Sequence, residues 1–154
     1  MKHKLINPKT SRFQGAHWYR NDGSMPDVAI IGCGATGSFL ALYLARMECK
    51  LHLFDFDTIE EGNFSGQFFK LEQNKQLKTA ALKQNLIDFT GNQNIYTYGE
   101  YTEDSINFDI VFCALDTMRG RKLLFDKWKN NPTKALFIDS RNGLEMTECY
   151  TVFP

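Results

Sequence analysis

Three glycines at fixed spacing are the first residues in this chain that could do chemistry. Gly32-Cys33-Gly34-Ala35-Thr36-Gly37 reads G-x-G-x-x-G. In such a loop the first glycine permits a tight turn and the second lets backbone approach a phosphate. The third lets a helix pack closely on a strand. A helix opening there offers free N–H groups and the positive end of its dipole to an anion. Asp55 follows Gly32 by 23 residues and ends the next apolar run, about where a ribose-binding carboxylate belongs. Two activities share this frame. One is hydride transfer by an NAD-dependent oxidoreductase, the other nucleotidyl transfer from ATP. The loop and Asp55 leave both open. The four cysteines, Cys33, Cys49, Cys113 and Cys149, form no CxxC pair, and three lie in or beside apolar runs. They read as buried free thiols rather than metal ligands or nucleophiles.

The elements that must hold these residues follow from the apolar pattern. Residues 27–31 form a short run bounded by turn residues, which suits a buried parallel strand. A helix is expected from about 36 to 47, with Phe39, Tyr43 and Met47 on one apolar face beside Leu40 and Leu44. Residues 51–55 read as a strand and 56–74 as a polar loop containing glycine. A helix over 75–89 carries Leu82, Leu86 and Phe89 on one face and stops at Gly91. Strands are expected at 94–98, 108–114, 135–139 and 148–153, and a helix at 118–129, closed by Asn131-Pro132. Strands and helices in alternation mean an α/β fold: a Rossmann-like, doubly wound, mainly parallel sheet with helices on both faces. Its ligand crevice would lie at the carboxyl ends of the strands. Residues 1–25 lack a period and read as an irregular N-terminal arm anchored by Phe13, Trp18 and Tyr19. Residues 26–154 read as a single nucleotide-binding domain.

Composition bounds the partners. The 154 residues carry 18 basic and 18 acidic side chains, with 43% apolar and 23% charged residues. That excludes collagen, coiled coil, disordered charged tails and disulfide-dense secreted modules. Zero formal net charge gives no electrostatic case for nucleic acid or membrane lipid. No segment reaches the ~18 uninterrupted apolar residues of a membrane helix, and the basic N-terminus lacks a signal-peptide core. A cytoplasmic protein is expected.

The residues after Asp55 discriminate between the two activities. Asp55-Phe56-Asp57, Asn63 and Gln67 resemble the D-x-D…N-x-x-R-Q segment of the ThiF/MoeB/HesA family, which includes the adenylation domains of ubiquitin-activating enzymes. Lys78-Thr79-Ala80-Ala81 resembles the family's K-A helix start. Ala114-Leu115-Asp116-Thr117 through Arg121 resembles its C-T-D-N…R segment, and residues 137–143 its following strand and glycine turn. The resemblance implies adenylation of the C-terminal glycine carboxylate of a ubiquitin-like or sulfur-carrier protein, with ATP and Mg2+ as cofactors. It implies that Gly32, Gly34, Ala35, Thr36 and Gly37 line the nucleotide and that Asp55 holds the ribose hydroxyls. Asn63 and Lys78 would touch phosphates, with Gln67 and Asp57 nearby, and Asp116 would bind magnesium beside Arg121. Asp116 also reads as a candidate N-cap for the helix after it. Asp57 reads equally as a brace for its loop, and Lys78 as one of several solvated helix lysines.

Two departures stand out. The position of the family's arginine just before Gln67 holds Gly66. Arg12, Arg20 or Lys70 are the expected substitutes, from this chain or from a partner, since the resemblance implies a homodimer or a heterodimer with a related chain. The chain also stops where family members continue, so a shortened C-terminal side and an open sheet edge are expected. The alternative reading is a non-catalytic or split-partner interaction domain that keeps nucleotide binding. An NAD-dependent oxidoreductase ranks below both, because it leaves Asn63 and Lys78 unexplained.

Overall fold

Among the described residues, six runs of four to seven residues, apolar in the inner strands and more polar toward the edges, form the strands of one sheet. In order they are β1 (Asp27–Ile31), β2 (Lys50–Phe54), β3 (Ile95–Tyr98), β4 (Ile110–Cys113), β5 (Leu136–Asn142) and β6 (Thr147–Val152). Among the described residues three α-helices join them: α1 (Ala35–Arg46), α2 (Lys78–Thr90) and α3 (Met118–Lys129). The computed structural model describes residues 11, 15, 25–101, 108–130, 136–142 and 146–153. The expected arm anchors Phe13, Trp18 and Tyr19, and the stop at Asn131-Pro132, lie outside these residues.

The sheet order is β3-β2-β1-β4-β5-β6. All neighbours are parallel except β5 and β6, which pair antiparallel from Phe137↔Val152 to Asn142↔Thr147. The expected doubly wound α/β architecture is therefore the observed one. Side chains alternate across β1 and divide the core in two. Val28 and Ile30 pack with Leu51, Leu53, Ala41, Ala45, Leu82 and Leu86 under α1 and α2. Ala29 and Ile31 pack with Phe54, Val111, Phe137, Leu124 and Trp128 under α3. No helix among the described residues is long and apolar enough to cross a membrane.

The core face of α1 is not the one its large apolar residues suggest. Phe39 and Tyr43 are 42% and 66% exposed, while Gly37, Ser38, Ala41 and Ala45 are buried. The small residues recur at i, i+4 and i+8, so they form a flat stripe that lets α1 lie close to the sheet. At its start this closeness is extreme: a Cβ on Gly37 would stand 1.9 Å from the Gly32 carbonyl oxygen. Gly32 itself adopts φ +97, and a Cβ there would meet the Ala114 backbone oxygen at 2.6 Å. Gly34, between them, has open space around its Cβ position.

Helix α2 begins at Lys78 rather than Lys75. Lys75 has φ 67, which no helix accommodates, and Leu77 forms an isolated bridge with Thr58 before the helix starts. Leu82 and Leu86 face the core as expected, but Phe89 is 61% exposed, with the Arg46 guanidinium 5.9 Å from its ring centre. Gly91 ends α2 in the left-handed conformation. Cys33, Cys49 and Cys113 are buried and free, and Cys149 is exposed on β6. Burial raises the first three thiols, Cys49 and Cys113 to about 11 and Cys33 well above its ordinary value, so they stay protonated at neutral pH.

His52, on the α3 side of β2, stacks between Tyr96 and Tyr98, and its Nδ1 lies 2.9 Å from the Tyr98 hydroxyl. Its Nε2 stands 2.6 Å from Asp27 Oδ1 without hydrogen-bond alignment. Burial holds the imidazole below its ordinary pKa of 6.5, against the pull of Asp27.

Two outcomes follow for stability. Replacing Gly37 by Ala should cost about 3 kcal/mol or more, because backbone must move, whereas Gly34→Ala should change stability by no more than about 1 kcal/mol; urea denaturation of both variants measures the contrast. The unfolded chain binds the His52 proton more readily than the folded one. Stability should therefore fall as pH drops below about 6.5 and level off below the folded-state value. Unfolding midpoints between pH 7 and 5 should show a slope that His52→Gln flattens.

Candidate functional site

The sheet winds outward in opposite directions from β1 and β4, and the carboxyl ends of these strands open into a cleft of about 710 Å³. Such a switch point is where open α/β sheets bind ligands. The cleft brings together Gly32, Gly34, Ala35, Thr36, Asp55, Asp57, Asn63, Gln67, Lys78, Asp116 and Arg121. Gly37 does not line it and instead sets the approach of α1 to the loop. Among the described residues no side chain caps α1, so the first-turn N–H groups beside Gly34 lie at the cleft without one. Asn142 at the end of β5 donates to the Thr36 hydroxyl and fixes that turn from the far side.

Asp55 ties two segments together. Its Oδ2 accepts the Cys33 N–H at 2.7 Å and its Oδ1 accepts the Asp57 N–H at 2.9 Å. The glycine loop and the chain leaving β2 are thus held by one carboxylate. Asp57 continues the chain of contacts: Lys78 donates its N–H to the Asp57 carbonyl at 3.0 Å and its Nζ to Asp57 Oδ2 at 2.9 Å. Lys78 is 8% exposed, which excludes the alternative of a solvated helix lysine. Burial alone would lower its pKa. The Asp57 hydrogen bond and the charges of Asp55 and Asp57 outweigh burial and hold the ammonium above its usual 10.5. Asp57 braces its loop by the same contacts.

The loop after Asp57 is more ordered than a polar, glycine-containing stretch implies. It folds into two short 3-10 turns, Glu61–Ser65 and Leu71–Gln73. Asn63 Oδ1 accepts the Glu60 N–H at 3.0 Å, which commits its carbonyl and leaves its amide NH2 as the donor at the cleft. Buried Gln73 and Asn85 exchange amide hydrogen bonds at 2.8 and 2.9 Å and clamp the loop to α2. Gln67 Oε1 is buried with no hydrogen-bond partner among the described residues. An orphaned acceptor on the wall of a cleft marks a place for a donor that the chain does not supply.

Across the cleft, Thr117 rather than Asp116 caps α3, its hydroxyl accepting the Gly120 N–H at 3.2 Å. The helix starts at Met118 as expected, so the residue just before it, Thr117, takes the cap position and Asp116 stands one residue outside it. Asp116 is exposed and has no hydrogen bond or ion pair with any described residue. Arg121 is committed elsewhere. It is buried, pairs with Asp139, and donates to the Ser140 carbonyl at 2.8 Å, so it pins α3 to β5. Of the three expected substitutes for the arginine absent at Gly66, Arg12 and Arg20 lie outside the described residues. Lys70 stands away from the cleft, 3.5 Å from Asp88.

Sequence reasoning passed over two residues. Arg119 and Tyr101 both line the cleft. The buried Tyr101 hydroxyl has no partner among the described residues, and burial pushes it up to about 12. Nothing local marked Tyr101, which follows an edge strand. Arg119 carried a readable signal, standing three residues after Asp116 at the start of a helix. No group of three or more His, Cys, Asp or Glu that could hold a metal occurs among the described residues.

Comparison with known proteins accords with this geometry. The chain is 40% identical over 121 residues to ubiquitin-like modifier-activating enzyme 5 of Arabidopsis thaliana, covering 75% of this chain and 23% of that protein. It is 43% identical over 60 residues to the Dictyostelium discoideum enzyme of the same name, covering 38% of this chain and 16% of that one. The chain thus spans less than a quarter of the length of these curated relatives. Among solved structures, Escherichia coli MccB with ATP superposes with TM-score 0.65 at 20% identity, over 75% of this chain and 37% of that one. PaaA superposes with TM-score 0.65 at 20% identity, over 76% and 38%. Both share its fold. The model of the ThiF family matches residues 23–140, and the chain belongs to that family of adenylating, ubiquitin-activating-enzyme-like folds.

Proposed function

We propose that the cleft is an adenylation site that uses ATP to activate the C-terminal glycine carboxylate of a ubiquitin-like or sulfur-carrier protein. One observation carries this reading. A glycine edge with room for a ligand, the start of α1, the Asp55 carboxylate and an Asp116 carboxylate without a partner among the described residues share one concave space. The curated relatives are named for activating a ubiquitin-like modifier, and one MccB structure holds ATP.

Each side chain has a task in this reading. Gly34, Ala35 and Thr36 present backbone N–H groups to phosphate. Asp55 has spent one lone pair of each oxygen on Cys33 and Asp57 and offers the others to ribose hydroxyls. Lys78 and the Asn63 amide contact phosphates, and the orphaned Gln67 acceptor receives a donor from the bound pair. Asp116 suits magnesium, a hard cation commonly held by one or two carboxylates together with phosphate oxygens and waters. When bound, that ion supplies charge neutralisation at the phosphates. An oxygen of the glycine carboxylate bonds to the α-phosphorus, the bond to the bridging oxygen breaks, and the electron pair leaves with pyrophosphate. The chain contributes positioning and electrostatic stabilisation, with no covalent intermediate of its own.

Calorimetric titration of the full chain with ATP and magnesium, and separately with NAD, tests the reading, followed by ATP–pyrophosphate exchange with a glycine-terminated carrier. ATP should bind in preference to NAD, and Asp116→Ala should lower exchange by ~100-fold or more. Preference for NAD would sink the proposal. ATP binding without exchange for any carrier would favour a nucleotide-binding interaction domain, the reading that Gly66 invites.

A further inference from the structure

The cleft has an uneven distribution of charge. Its charged lining consists of Asp55, Asp57, Glu100 and Asp116 against Lys78, Arg119, Arg121 and Lys127. Lys78 is matched by Asp57, and Arg121 by Asp139. That leaves Arg119 and Lys127 as the cleft cations without an ion-pair partner among the described residues. They lie eight residues apart on α3, about 12 Å along its axis. Lys127 sits in the last turn, where a cation complements the helix dipole. Arg119 sits in the first turn, beside the cap Thr117, with no acidic residue in that turn. There the dipole opposes it, so Arg119 does not serve its own helix.

The facing wall has no cation of its own. Glu61 to Gln67 reads Glu-Gly-Asn-Phe-Ser-Gly-Gln, and Gly66 is exposed with open space around its Cβ position. Among the described residues, a triphosphate held between this wall and the start of α1 would therefore meet its unmatched positive charge on the α3 side. Arg119 stands at the Asp116 end of that side.

We infer that Arg119 is the phosphate-binding arginine of this cleft, neutralising the β- and γ-phosphates from α3 in place of a cation on the Asn63–Gln67 loop. The inference rests on the adenylation reading and adds a residue to it. The leaving pyrophosphate carries the electron pair of the broken α–β bridge, and a guanidinium there stabilises that charge as it develops. The site at which the arginine is planted matters less than the charge it delivers to the far end of the nucleotide.

Titrations of the full chain with magnesium plus ATP, and with AMP, decide the matter. Arg119→Ala and Arg119→Gln should weaken ATP binding about 10- to 100-fold and leave AMP binding unchanged. Lys122→Ala removes one positive charge from the exposed side of the same helix and should alter neither. Adding Gly66→Arg to Arg119→Ala should restore the preference for ATP, because the vacant space at residue 66 admits the side chain. An unchanged ATP-to-AMP preference in both Arg119 variants would overturn the inference while leaving the adenylation reading intact. Equal losses for ATP and AMP would also overturn it. A wild-type chain that binds neither nucleotide would overturn the adenylation reading, and this inference with it.

Discussion

The Asp55 carboxylate is the contact on which the site depends. It accepts one N–H from the glycine loop, at Cys33, and one from the segment leaving β2, at Asp57. Neither segment has a regular ladder at that point, so without Asp55 two backbone donors would lie beside the cleft unmatched. Asp57 then carries the restraint to Lys78 and the start of α2 through two further hydrogen bonds. A single acidic side chain thus sets the mutual position of β1, β2 and α2 around the cleft. Both of its oxygens keep acceptor capacity toward the cleft. Structural bracing and ribose binding are compatible roles for this carboxylate.

The glycine loop works under a second, steric restraint. Gly32 and Gly37 are required because each would place a Cβ against backbone, at 2.6 Å and 1.9 Å. Gly34 meets no such obstacle, and its lack of a side chain leaves room for something outside the chain. The three glycines divide into two that close the fold and one that opens the site. Ala41 and Ala45 extend the close approach along α1, and Phe39 and Tyr43 are turned to solvent by the same packing.

Local patterns made most of this legible in the sequence. The inner strands β1, β2 and β4 were readable because each is a short apolar run between turn residues, and the loop and Asp55 because their spacing encodes a backbone geometry. Long-range and conformational facts were not. The apolar periodicity of Phe39 and Tyr43 misled because close packing selects small residues, which a hydrophobicity pattern ranks low. Lys75 stops α2 from starting early through a positive φ that no local composition announces. The Gln73–Asn85 pair depends on two polar residues meeting in a buried place. The Arg121–Asp139 pair joins elements 18 residues apart. The resemblance supplied the names of the site residues. It did not reveal that Lys78 is buried, that Thr117 takes the cap, or that Arg121 is already occupied.

That last occupation gives α3 its role. Asp139 is buried and receives two guanidinium groups, from Arg121 and from Arg141 at 2.8 Å, while Arg121 also donates to the Ser140 carbonyl. Buried ion pairs of this kind contribute little net stability, since desolvation offsets much of the attraction. Their geometry is nevertheless exacting, because a guanidinium must meet its acceptors in its own plane. The pair therefore fixes where α3 starts relative to the end of β5, and β5 in turn holds Thr36 through Asn142. Asp116 and Arg119 flank that fixed point, one just before the helix and one in its first turn. A side chain whose charge is already matched can still govern chemistry by setting where unmatched charges stand. Arg121 does so for the carboxylate and the guanidinium that face the open cleft.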